Sequence, residues 1–151
     1  LNTIAADIKK HLLRYAVIGF DFKTTEFSPY HSGLRFDIFA LNRYNKTSRI
    51  VEVKSCRADF VADKKWKNYL PFATHFYFAA PKGVINPNEL PAGIGLIETE
   101  VMKNGFLAYE YTKKCRKIHT LSNENYTKLI EGAFMRLKYE LKEYCGRHGD
   151  E

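Results

Sequence analysis

A chain of 151 residues with 45% apolar content is long enough to bury a core as one domain, which argues against a disordered or low-complexity polymer. Lysine and arginine outnumber aspartate and glutamate by 24 to 17, a formal net charge of +7, so a polyanionic partner is expected, with nucleic acid ahead of a membrane surface. Three scattered cysteines, Cys56, Cys115 and Cys145, with no CxxC or histidine-rich pattern, speak against a zinc site or a disulfide framework. With no apolar run of spanning length and no secretory signal, the expected place is the reducing cytoplasm. The first residue is Leu1 rather than Met, so the native start is expected to be trimmed or to lie outside this sequence.

In chain order, Asn2 to Ala16 predicts a helix. Ile4, Ala5, Ile8, Leu12 and Tyr15 recur at helical spacing, Lys9, Lys10 and Arg14 lie on the polar side, and Asn2 or Thr3 is the candidate cap. Val17 to Phe27 reads as a first strand, with Glu26 near its end as either a third acid for a site or an exposed edge carboxylate. Pro29 to Gly33 is a loop, and His11 and His31, lacking metal-ligand spacing, read as surface histidines. Leu34 to Leu41 and Arg49 to Ser55 are strand-like runs joined by the polar, turn-forming segment from Asn42 to Ser48. Arg57 to Leu70 predicts one helix, capped by Ser55 and closed by Pro71, with Asp59 and Asp63 favourable to its dipole. His75 to Ala80 is a further strand, able to lie parallel to the Arg49 strand through a right-handed crossover. After a proline-punctuated loop from Asn86 to Gly93, Gly95 to Thr99 and Phe106 to Tyr111 form two strands around a Lys103-Asn104-Gly105 turn. Ser122 or Asn123 starts a last helix whose stripe of Tyr126, Leu129, Ile130, Ala133, Phe134, Leu137, Leu141 and Tyr144 is core packing or a homodimer face, with Arg136, Lys138 and Lys142 solvated.

The chemistry concentrates in Val51-Glu52-Val53-Lys54. Side chains on a strand alternate faces, so Glu52 and Lys54 share one side in an otherwise β-branched, buried run. Burying such charges costs several kcal/mol unless they are paired, hydrated or metal-bound. A hairpin centred near Tyr44 and Asn45 sets Asp37 opposite Glu52, about 5 Å away on the same face. Two carboxylates and a lysine at one spot suit Mg²⁺, which takes one or two protein carboxylates and fills its other positions with water and phosphate oxygens.

With these residues the chain resembles the PD-(D/E)XK nuclease superfamily: Asp37 matches the first acid, Glu52 the second and Lys54 the lysine. Phe36 stands where the superfamily name has proline. The longer run Val51 to Phe60, then Asp63-Lys64-Lys65-Trp66, Tyr69-Leu70-Pro71 and Phe76 to Pro81, is similar to the MmcB-type DNA repair endonucleases over roughly residues 33–97. The resemblance implies an α/β fold with a restriction-endonuclease-like α-β-β-β-α-β core, a mixed central sheet flanked by helices and a C-terminal helix, in one domain spanning 1–151. It further implies a Mg²⁺-dependent DNA endonuclease, with Mn²⁺ able to substitute. Asp37, Glu52 and the main-chain carbonyl of Val53 would hold the ion, and Lys54 would activate the attacking water. Some relatives carry Gln and Tyr four residues apart on the next helix, where this chain has Lys65 and Tyr69, either a phosphate contact and a site-lining ring or a solvated lysine and a packed tyrosine. Lys64, Lys65 and Lys67 are the candidate DNA contacts. The alternatives are a nucleic-acid-binding module that keeps the fold without catalysis, and a structural role in which Glu52 and Lys54 merely pair.

Overall fold

The computed structural model describes residues 2–148, with side chains from 4 to 147. Helix α1 (Asn2–Tyr15) leads into strands β1 (Phe22–Phe27), β2 (Phe36–Asn42) and β3 (Thr47–Val53). A short helix α2 (Arg57–Ala62) and a 3₁₀ segment (Trp66–Phe72) follow, then β4 (His75–Pro81), β5 (Gly95–Val101), β6 (Leu107–Lys113) and the long helix α3 (Asn123–His148). The six strands make one sheet in sequence order. β1, β2 and β3 are antiparallel, β4 and β5 run parallel to β3, and β6 returns antiparallel. This is the expected α-β-β-β-α-β order with a mixed sheet and a C-terminal helix. Cap contacts from Asn2 or Thr3 lie outside the described side chains.

The sheet is buried on both sides, as its central runs of Ile, Val, Phe and Ala require. On one face Ile38, Ala40, Val51, Val53, Tyr77, Ala79 and Ile97 pack against Ile8 and Leu12 of α1. On the other, Phe27, Phe36, Phe39, Ile50, Phe76, Phe78 and Leu96 pack against Phe72, Leu121, Leu129 and Ala133. The five phenylalanines that the sheet contributes to that second core, Phe27, Phe36, Phe39, Phe76 and Phe78, are fully buried. Each contributes about 1.5–3 kcal/mol over an exposed ring. Buried Ser48 and Thr74 lock the β3–β4 register: the Ser48 hydroxyl donates to the Phe72 carbonyl, and the main-chain N–H of each residue donates to the other's hydroxyl oxygen.

Several local expectations change. β1 begins at Phe22 rather than Val17, because the chain turns through Gly19 at φ +89° and buries Val17 first. The helix expected over Arg57 to Leu70 is broken at Asp63. Asp63 is extended at φ −74°, ψ 111°, and its Oδ1 accepts the N–H groups of Lys65 and Trp66, so the chain restarts as a 3₁₀ turn with Pro71 inside it. Ser55 does not cap α2. Cys56 holds that position without a side-chain bond, and the Ser55 hydroxyl donates to Asp59 instead. His11 is packed among the rings of Tyr15, Phe106 and Tyr109. The Asn86 to Gly93 loop contains a 3₁₀ turn at Pro87–Glu89.

Helix α3 is capped by Ser122, whose hydroxyl accepts the Asn125 N–H. Its stripe is core only in part: Leu129 and Ala133 are buried, whereas Phe134, Leu137 and Leu141 are exposed. Gly132 admits the close approach of α3 to the end of β1, since a Cβ there would sit 2.6 Å from the Ser28 carbonyl oxygen. One turn later Arg136, expected to be solvated, is half-buried and donates to Thr24 Oγ1 at 2.9 Å, to the Thr25 carbonyl at 3.0 Å and to the Glu26 carbonyl.

Candidate functional site

β2 and β3 pair from Asn42↔Thr47 to Ile38↔Val51, with the turn centred between Tyr44 and Asn45. Continuing that register by one residue sets Asp37 opposite Glu52. At this end of the ladder side chains satisfy main-chain donors. The Asp37 N–H donates to Glu52 Oε1 at 3.0 Å, and the Val53 N–H donates to Asp37 Oδ2 at 2.8 Å. The two carboxylates are thereby fixed to the backbone of each other's strands, where β3 hands over to the α2 loop.

Their surroundings differ. Glu52 is 5% exposed, and burial, followed by the charge of Asp37, pushes its carboxyl up to about 8. Asp37 is half-buried, and its Oδ1 meets Lys9 Nζ from α1 at 3.1 Å. Lys9 also meets Glu26 Oε1 at 2.5 Å, and Arg35 Nε meets Glu26 Oε2 at 2.9 Å. Burial acts against the Lys9 charge, but Glu26 and Asp37 outweigh it and hold the ammonium above its ordinary value.

Lys54 is next on the face of Glu52, and its Nζ lies 2.5 Å from Asp63 Oδ2, both side chains being largely buried. Burial would raise the Asp63 carboxyl, but Lys54 and the N–H groups of Lys65 and Trp66 win and hold it below its ordinary value. The break in the expected helix therefore aims Asp63 at Lys54. Asp63→Asn keeps the cap acceptor and removes the charge, so it is expected to cost about 1–3 kcal/mol in a urea titration. Asp63→Ala should lose about 1 kcal/mol more by uncapping the 3₁₀ turn.

Tyr69 faces this cluster. Burial, then the charges of Glu52, Asp63 and Asp37, raise its hydroxyl to about 12, so it remains protonated at neutral pH. Lys65 does not share a helical face with Tyr69, because it precedes the 3₁₀ turn. It is exposed, as are Lys64 and Lys67 beside it, which leaves a basic rim next to the carboxylates. Sequence reasoning missed two members. Asp63 carried a signal in Asp63-Lys64-Lys65-Trp66 but read as a helix-dipole acid, and Lys9 carried none, its partners lying in distant strands.

The acids Glu26, Asp37, Glu52 and Asp63 face the bases Lys9, Arg35 and Lys54, an excess of one carboxylate, and that excess is borne by buried Glu52. Glu52 Oε2 accepts no hydrogen bond among the described residues. A lone divalent cation fits this donor set: two carboxylates with unused lone pairs, one of them poorly compensated. Among the described residues no group of three or more His, Cys, Asp or Glu could hold an ion, so most of its coordination would fall to water and substrate.

The fold and the paired strands define a restriction-endonuclease-like α/β protein. Its sequence matches the family model for MmcB-like DNA repair proteins over residues 5–132, from α1 into α3. The chain belongs to this family of DNA repair proteins. It is also similar to a solved protein of unknown function from Silicibacter pomeroyi, with 26% identity and a TM-score of 0.68 over 95% of this chain and 90% of that one. No curated protein matches it. Among the described residues no helix is long and apolar enough to cross a membrane.

Proposed function

We propose that this chain is a Mg²⁺-dependent deoxyribonuclease, active also with Mn²⁺, that hydrolyses phosphodiester bonds endonucleolytically in DNA repair or related processing. The observation that carries the reading is Asp37 and Glu52 locked opposite each other at the end of the β2–β3 ladder, with Lys54 next on the same face. Asp37, Glu52 and the Val53 main-chain carbonyl would hold the ion. When bound, the ion supplies a more acidic water and neutralises phosphate charge. Lys54, oriented by Asp63, positions the attacking water and offsets the negative charge that develops on the phosphate. Tyr69, protonated at neutral pH, donates to a phosphate oxygen and cannot serve as the base. Lys64, Lys65 and Lys67 track the DNA backbone. The exposed Phe134, Leu137 and Leu141 make α3 the candidate face for a homodimer.

One observation favours the alternative, a nucleic-acid-binding module without cleavage: the Lys54 ammonium is already engaged by Asp63. A panel of duplex, single-stranded, nicked and mismatched DNA and of RNA, each with Mg²⁺, Mn²⁺ or EDTA, separates the two. Cleavage of DNA only with a divalent ion supports the nuclease. Binding without cleavage leaves the module, and neither binding nor cleavage removes both. In either reading affinity falls with salt, by about 0.9 log units per log unit of salt for each phosphate neutralised, and replacing Lys64, Lys65 and Lys67 together should flatten that slope. A salt-independent affinity would contradict the backbone contact.

A further inference from the structure

Glu26 is the one acid of the cluster held in a strained backbone. At φ +53° it occupies the left-handed region, unfavourable for a residue with a long side chain in a strand. The β1–β2 pairing runs regularly from Phe22↔Leu41 to Thr25↔Ile38 and resumes at Phe27↔Phe36, leaving Glu26 out. The turn lets Phe27 enter the core beneath α3 while the Glu26 carboxylate reaches α1 and meets Lys9. Arg136 supports the turn by binding the carbonyls of Thr25 and Glu26 from the far side. Strain, an arginine clamp and the close approach at Gly132 thus place one carboxylate beside one ammonium. That ammonium also touches Asp37, 3.1 Å from Oδ1, so Lys9 bridges two acids from different strands. A cleft of about 450 Å³ lined by Ala6, Lys9, Leu13, Thr25 and Glu26 opens on this spot, so small ions can reach it.

We propose that Lys9 is a built-in cation occupying, between Glu26 and Asp37, the place of a second divalent ion, so that the site takes one metal where its carboxylates would otherwise hold two. The inference rests on the metal reading above. It gives Lys9 and Glu26 roles that reading does not use: Lys9 neutralises the outer oxygen of Asp37, and Glu26 fixes Lys9. Removing the ammonium leaves Glu26 and Asp37 facing each other, with the exposed Arg35 as the remaining base at Glu26.

The test is calorimetric titration of metal-free protein with Mn²⁺, read as ions bound per chain. The wild type should bind one ion, Lys9→Met and the milder Lys9→Gln two, and Lys9→Met combined with Glu26→Gln one again. If both Lys9 variants, folded by circular dichroism, still bind one ion, or if the wild type already binds two, the inference about Lys9 falls and the metal reading stands. If the wild type binds none while Lys9→Met binds one, the metal reading falls and the inference, which rests on it, falls too. If neither wild type nor variant binds an ion, both fall.

Discussion

Under the nuclease proposal, Glu52→Ala is expected to reduce DNA cleavage by about 10²- to 10³-fold or more while leaving DNA affinity unchanged or higher, because it would delete a proposed metal ligand and a negative charge near the phosphate. Lys54→Ala should lose cleavage to a similar degree yet still bind the ion, since in the proposal its ammonium would stabilise charge and hold no metal. A Mn²⁺ titration therefore parts the two, with only the glutamate variant losing affinity. Lys54→Ala also removes the base whose Nζ lies 2.5 Å from Asp63 Oδ2, which leaves the largely buried Asp63 carboxylate without it. The double variant Lys54→Ala, Asp63→Asn removes that stranded charge and should recover stability but not cleavage. Wild-type cleavage by both single variants, in folded protein free of contaminating nuclease, would place any activity elsewhere and end the proposal.

The pairing of Asp37 with Glu52 was legible in the sequence because it depends on counting: a polar turn between two apolar runs fixes the hairpin centre, and strand parity does the rest. The surroundings of Lys54 were not legible. Lys64, Lys65, Trp66 and Lys67 raise no objection to a helix, and the break depends on the Asp63 carboxylate capturing two N–H groups locally while answering a base on β3. Such a choice is settled by tertiary contact rather than propensity. Glu26 is a stronger case, since no strand preference anticipates a left-handed glutamate, and its support comes from Arg136, over a hundred residues away on a helix face that reads as solvated. Helical periodicity placed the α3 stripe correctly but could not say where the helix leaves the body. That limit is set by how far the sheet extends beneath it.

In metal-free buffer the wild type is expected to lose stability relative to Glu52→Gln as pH rises from about 5 to 8.5. Glu52 moves from an ordinary 4.5 to about 8 on folding, so across this window the native chain keeps a proton that the unfolded chain has released. Unfolding then releases protons, and stability falls with pH until the folded group ionises, after which the full penalty is present. Below the unfolded value both states are protonated and the penalty vanishes. A shift of this size has an upper limit of several kcal/mol, and relaxation around Asp37 and Lys54 reduces it to about 2–4 kcal/mol. Glutamine fills nearly the same volume and does not titrate. Urea midpoints measured at pH 5 and pH 8.5 in EDTA should therefore diverge between the two proteins, the variant being the more stable at the higher pH. A divalent ion should oppose the divergence from the wild-type side, because it favours the ionised carboxylate that burial disfavours. Parallel pH profiles of the wild type and Glu52→Gln in EDTA would mean that Glu52 ionises in the fold without penalty, and the electrostatic reason for a cation at this site would be gone.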